Sequence, residues 1–148
     1  MQPEYDTLVV GGGAAGMMAA LFAAREGARA LLLERNEKLG KKLYITGKGR
    51  CNVTNDCTAE EVLQNTPRNG RFLYSAMTAF PPEKTKAFFE DAGCPLKTER
   101  GNRVFPQSDS AYSILESLKK KLKDAHVTVK TGRVLEILTE QGRVTGVR

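Results

Sequence analysis

The chain has 148 residues, enough for one domain, and its composition of 41% hydrophobic and 27% charged residues is that of a folded globular protein rather than a disordered one. No apolar run reaches the length of a membrane-spanning helix, and the start, Met1 to Asp6, carries neither a basic leader nor a cleavage signal, so the expected location is cytoplasmic. The net charge of +6, from 23 Lys and Arg against 17 Asp and Glu, raises nucleic acid as a partner. However, the chain has no strand platform of interleaved basic and aromatic residues, which argues against that partner. Three cysteines (Cys51, Cys57 and Cys94) make no disulfide framework or C-x-x-C site, and a single histidine, His126, excludes a histidine-based metal cluster, so no metal is expected.

In chain order, Tyr5 to Val10 reads as a short buried strand. Gly11-Gly12-Gly13 breaks it, and Ala14 to Glu26 follows as an alanine-rich helix stopped by Gly27. Ala28 to Leu33 is a second strand, whose Leu31-Leu32-Leu33 run suits a parallel strand buried on both faces. Asn36 to Asn55 is a long Gly-, Lys- and Asn-rich loop of the kind that is usually functional in a compact domain. Thr58 opens a helix with Glu61 three residues later as a capping box. Further helices are expected over Arg71 to Ala79 and Pro82 to Ala92, with a hairpin over Leu96 to Phe105. Ser108 is expected to cap a long helix with the apolar stripe Ala111, Ile114, Leu115, Leu118 and Leu122. Lys119 to Lys123 read as its solvated end. Val127 to Lys130 is a strand, and Arg133 to Thr139 with Arg143 to Arg148 form a hairpin. Because that hairpin has no neighbours, the natural chain is expected to continue past Arg148.

The chemistry begins with Gly11-x-Gly13-x-x-Gly16. It lies between a strand and a helix, a second strand follows, and Glu34 stands 18 residues after Gly16 at that strand's end. Gly11 permits the tight turn, Gly13 lets a pyrophosphate approach the backbone, and Gly16 lets the helix pack against the sheet. The helix N-terminus offers unpaired N–H groups to phosphate, and Glu34 offers its carboxylate to an adenosine ribose. An acid here disfavours a 2′-phosphate, and hence NADP at this site, but NAD and FAD share the ADP half.

The loop after Glu34 helps to distinguish them. An NAD-binding unit would move directly into its next helix, whereas this chain inserts Lys41, Lys42, Gly47, Lys48, Gly49, Arg50 and Asn52. Glycines allow close approach, cations neutralise phosphate, and an asparagine can both donate to and accept from a flavin edge. A thiol beside a cation, as Cys51 is beside Arg50, can become reactive, although a structural role is the favoured reading for Cys51 as for Cys57 and Cys94.

Asp6 to Gly16 resembles the opening of flavoproteins with two dinucleotide-binding domains. Lys38 to Asn55, centred on Gly49-Arg50-Cys51-Asn52, and Gly101 to Ala111 more specifically resemble the bacterial NAD(P)/FAD-dependent oxidoreductases labelled aminoacetone oxidase-family or bile-acid-reductase-like. Many of those proteins carry Gly where this chain has Lys48. The resemblance implies an α/β, Rossmann-like FAD-binding domain with a parallel sheet, a helical excursion and the start of a β-meander. The element order read from the chain sets the segments 1–57 for the βαβ unit and cofactor loop, 58–124 for a mainly helical segment, and 125–148 for the returning strand and β-meander start. The resemblance also implies FAD in an extended form: Gly11, Gly13, Ala14 and Ala15 at the pyrophosphate, with Gly16 completing the cofactor-binding turn, Glu34 at the ribose, Arg35 by the adenine, and Val134 touching adenine through its backbone. Lys42, Gly49, Arg50, Cys51 and Asn52 would line the route to the flavin. The expected activity is flavin-dependent redox chemistry on a small-molecule substrate, with NAD(P)H as a candidate electron donor and no side chain assigned as catalytic acid or base. The alternatives are an NAD-binding dehydrogenase domain and an FAD-binding, nucleic-acid-modifying flavoprotein.

Overall fold

A computed structural model describes residues 4–148; Met1, Gln2 and Pro3, part of the leader-free start read from the sequence, lie outside the described residues. The chain divides into two compact units, residues 1–43 with 118–148, and residues 44–117.

The first unit is built on a parallel sheet of strands β1 (Thr7–Val10), β2 (Ala30–Glu34) and β6 (Thr128–Thr131), with β2 central. Helix α1 (Ala14–Arg25) makes the crossover from β1 to β2. Its Met17, Ala20 and Leu21 are buried, as are Ala30, Leu31 and Leu32 on β2, which is why the leucine run occupies the middle of the sheet. Asp6 joins the starts of β1 and β2, taking Nε and Nη2 of Arg29 at 2.9 and 2.8 Å and its backbone N–H at 2.8 Å. The last hairpin pairs β7 (Ile137–Glu140) with β8 (Arg143–Val147). Val134, expected within a strand, instead lies in an irregular segment. Beside it, the carbonyl of Arg148 accepts the N–H groups of both Leu135 and Glu136, so one residue faces two.

In the second unit, β3 (Thr54–Asn55), β5 (Arg103–Pro106) and β4 (Leu96–Glu99) form an antiparallel sheet with β5 central. The segment read as mainly helical therefore carries a sheet beside its helices α2 (Ala59–Gln64), α3 (Tyr74–Ala79) and α4 (Pro82–Asp91). Thr58 and Glu61 form the expected capping box. Arg71 to Ala79 is not one helix: a 3-10 turn, Gly70–Leu73, follows the left-handed Asn69 before α3 begins. Phe80, Phe88 and Phe89 meet edge to face at 6.2 and 5.1 Å. Buried Val104, Phe105, Ile114 and Leu115 complete the core of this unit.

Helix α5 (Ala111–Asp124) contains the boundary between the units. Its cap is Ser110 rather than Ser108, because the Ser110 hydroxyl accepts the Tyr112 N–H at 3.3 Å while Ser108 bonds the Ser113 hydroxyl at 2.7 Å. The stripe of Ala111, Ile114, Leu115, Leu118 and Leu122 is buried as its spacing requires. No helix among the described residues is long and apolar enough to cross a membrane.

Candidate functional site: a glycine turn and a strained polar loop

The glycine turn leaves β1 at Gly11, whose φ of +107° is closed to ordinary L residues and whose N–H donates to Leu33 at 2.7 Å. Gly13 is the N-cap of α1 and provides no capping side chain, and the first turn of the helix contains no acid. The N–H groups at Gly13, Ala14 and Ala15 therefore sit at an exposed, uncapped helix N-terminus. A Cβ on Gly13 would meet nothing within 4 Å, so open space lies over this backbone. At Gly16 the situation is reversed: a Cβ would stand 1.8 Å from the Gly11 carbonyl oxygen, so this glycine is needed for close packing of helix on strand.

Glu34, at the end of β2, accepts the Gly12 N–H through Oε2 at 2.6 Å, and the Asn36 N–H and Nδ2 through Oε1 at 2.8 and 2.5 Å. The Asn36 and Gly12 N–H bonds hold its carboxyl below the usual carboxylate range, with Arg35 contributing positive charge. Of about four lone-pair directions on a carboxylate, three are used, which leaves one on Oε2 for a hydroxyl donor. A free helix N-terminus, open space at Gly13 and a charged carboxylate with spare acceptor capacity fit the ADP half of a dinucleotide. Arg35 and Lys42 are exposed, and Val134 is half-buried.

Sequence reasoning treated Gly12 as a filler position. A Cβ there would meet Leu39 Cδ2 at 2.3 Å and Glu34 Cβ at 3.0 Å, and the Gly12 carbonyl also accepts the Gly40 N–H at 2.7 Å. The signal was the unbroken Gly11-Gly12-Gly13 triplet. Asn36, which orients Glu34, was likewise missed, and its proximity in sequence was the only hint.

In the second unit, Gly47, Lys48, Gly49 and Cys51 all have positive φ, between 56° and 86°. Lys48 and Cys51 adopt this left-handed backbone despite having a Cβ, at a cost of about 1 kcal/mol each. Lys48 occupies the position where the resemblance carries Gly. The loop is moulded on β5: Val53 N–H and Asn52 Nδ2 both donate to the Val104 carbonyl, at 2.9 and 3.1 Å. Asn52 gives its other bond to Thr54 at 2.8 Å, so its amide hydrogens are committed and its Oδ1 is left as an acceptor.

Arg50, expected as a phosphate ligand, is already engaged. Its guanidinium binds Glu99 in two-pronged fashion at 2.9 and 3.0 Å, binds Asp109 at 3.0 Å, and lies 4.0 Å from the centre of the Phe105 ring. Those acids raise the Arg50 pKa and fix the loop. Cys51 is buried, and burial pushes its thiol up rather than down, so the neighbouring cation does not activate it. Glu99, Asp109 and Phe105 are 49 or more residues beyond Arg50, and no local pattern marks them as its partners.

The HI0933-like protein Rossmann domain family matches residues 5–148. The chain is 36% identical over 132 residues to the 3-dehydro-bile acid delta(4,6)-reductase of Clostridium scindens, covering 88% of this chain and 32% of that protein. It is 29% identical over 127 residues to the ribosomal RNA dihydrouridine synthase of Escherichia coli K12, covering 86% and 31% respectively. The chain thus spans about a third of the length of these curated relatives. Its fold is similar to that of the 3-ketosteroid-delta4-(5alpha)-dehydrogenase of Rhodococcus jostii RHA1, with a TM-score of 0.75 at 19% identity over 99% of this chain and 42% of that one. With its uncapped helix, open glycine turn and charged Glu34, the chain belongs to the HI0933-like family of FAD-binding Rossmann domains, within the FAD oxidoreductase superfamily.

Proposed function

We propose that this chain is the FAD-binding part of a flavin-dependent oxidoreductase acting on a small-molecule substrate, with NAD(P)H as the electron donor and the cytoplasm as its location. The observation that carries this reading is the open, uncapped Gly13–Ala15 turn facing no acid in α1, with Glu34 held charged at the end of β2. The support for FAD over NAD is the family match over residues 5–148, together with the loop that follows Glu34. Gly11, Gly13, Ala14 and Ala15 form the pyrophosphate cradle, Gly16 lets α1 pack closely enough on β1 to present it, Glu34 receives a ribose hydroxyl, and Arg35 and the Val134 backbone attend the adenine. Lys42 is an uncommitted cation for phosphate. Gly49, Cys51 and Asn52 offer backbone groups and the Asn52 oxygen to the flavin part, while Arg50 serves by holding their loop through Glu99 and Asp109. FAD, when bound, supplies the hydride and electron chemistry, and the protein binds and orients it.

A second reading, an RNA-modifying flavoprotein, is favoured by the similarity to the ribosomal RNA dihydrouridine synthase. The test is to purify the protein, denature it, and identify any released or reloaded chromophore by chromatography and mass. FAD supports the proposal. Tight NAD binding with no capacity to take up FAD refutes it. Reoxidation of the reduced flavin by RNA, and not by small enones, selects the second reading.

A further inference from the structure

A separate cavity of about 540 Å³ opens in the second unit, within the size range of small-molecule sites. Four of the chain's six asparagines, Asn52, Asn55, Asn65 and Asn102, line it together with Val62 and Pro67. Among the described residues, the side-chain amides of Asn55 and Asn102 have no hydrogen-bond partner. Asn52 has spent its amide hydrogens on Thr54 and Val104 and keeps its oxygen free, whereas Asn65 donates to the Glu61 carbonyl at 2.8 Å. The rim therefore holds both donors and acceptors at neutral groups, beside two apolar side chains.

The charge of the cavity is one-sided. No Lys, Arg or His lines it. Its single ionisable acid, Glu61, is kept in the charged form by the Thr58 backbone N–H and hydroxyl. Cys57 on the wall stays a neutral thiol, because burial and the charges of Glu61 and Asp56 push its pKa up. An anion entering here finds a carboxylate and no cation to offset it.

We propose that this cavity is a binding site for a small, uncharged, planar heterocycle with an imide or lactam edge. The amides of Asn55 and Asn102, each both donor and acceptor, pair with N–H and C=O groups on that edge, and Val62 and Pro67 provide apolar surface for the ring. The carboxylate of Glu61 selects against acidic ligands of the same shape. This inference does not depend on the cofactor reading, since it concerns a cavity tested without flavin.

The experiment is a side-chain amide NMR titration of the protein with three probes. Uracil presents the imide edge, 1,3-dimethyluracil removes its N–H donors, and orotate adds a carboxylate to the same ring. Saturable shifts of the Asn55 and Asn102 amide signals are expected with uracil, at a dissociation constant on the order of millimolar for so small a ligand. The other two probes are expected to bind at least about tenfold more weakly. Asn55→Ala with Asn102→Gly, the latter compatible with the left-handed backbone at position 102, removes uracil binding while the rest of the spectrum is retained. Equal binding of all three probes, or uracil shifts that survive in the double variant, overturn the proposal. Displacement of uracil by FAD, whose anionic pyrophosphate the cavity's carboxylate disfavours, also overturns it, because the cavity then belongs to the cofactor. Failure of FAD to bind, with uracil still bound, refutes the proposed function and leaves this site standing.

Discussion

The carboxylate of Glu34 and the backbone N–H of Gly12, 22 residues apart, are joined at 2.6 Å. One side chain thus locks the glycine turn and, through its remaining lone pair, is available to a ribose. Glu34→Gln keeps the shape but removes the charge and places an amide donor against N–H groups. Weaker FAD binding by roughly tenfold is expected, consistent with the strength of hydrogen bonds to charged groups. Fluorescence titration with FAD measures it, and unchanged affinity removes Glu34 from the ribose role.

The glycines of the turn should separate by function. Gly16→Ala drives a methyl group into the Gly11 carbonyl and is expected to destabilise the fold by about 1–3 kcal/mol or more. Gly13→Ala enters open space at an ordinary φ of −77°, so the melting temperature should hardly move. Its methyl group nevertheless occupies the pyrophosphate approach, and a loss of roughly tenfold in FAD affinity is expected. Thermal melts and FAD titrations of both variants decide whether stability and binding part in this way.

Arg50→Lys retains the charge but cannot hold Glu99 with a two-pronged fork or stack flat on Phe105. A drop of a few degrees in melting temperature is expected, with increased proteolysis within Gly47 to Asn52. If Arg50 were instead a direct phosphate ligand, the variant would lose FAD affinity at unchanged stability.

The thiols are expected to differ in accessibility. Cys57 is half-buried, and Cys51 and Cys94 are buried, with burial the main cause raising each thiol pKa. Titration with a chromogenic disulfide at neutral pH should modify Cys57 first. Cys51 and Cys94 should react at least about tenfold more slowly and catch up only on unfolding. Rapid labelling of Cys51 in the folded protein would restore it as a reactive group.

Asp6 provides a pH test. Its bonds to the Arg29 side chain and then to the Arg29 N–H lower its pKa to about 2. A carboxyl with a depressed folded pKa stabilises the fold above its unfolded value of about 3.9, and that contribution is lost as the pH falls toward 2. Denaturation midpoints of the parent protein should therefore fall more steeply between pH 4 and pH 2 than those of Asp6→Asn. Parallel curves would show that the Asp6–Arg29 pair does not couple to folding.

The sequence by itself determined what is local. The β1-α1-β2 unit, its glycines, Glu34, the Thr58–Glu61 capping box and the stripe of α5 are legible because each is set by short spacing: helical period, strand length, or a turn only glycine can make. Tertiary structure decided the rest. Arg50 was read as a phosphate cation because residue type shows charge but not partners, and Glu99 and Asp109 reach it only after β4 and β5 have folded back. For Cys51 the residue types favoured a structural thiol but left a reactive one open, and burial, which no neighbour in sequence reports, raises its thiol pKa in support of the structural role. The pairing of β2 with β6 and the four asparagines around one cavity join segments far apart in the chain. Their encounter depends on the packed core, where the balance of burial against chain entropy is settled over the whole fold and not within any one stretch of residues.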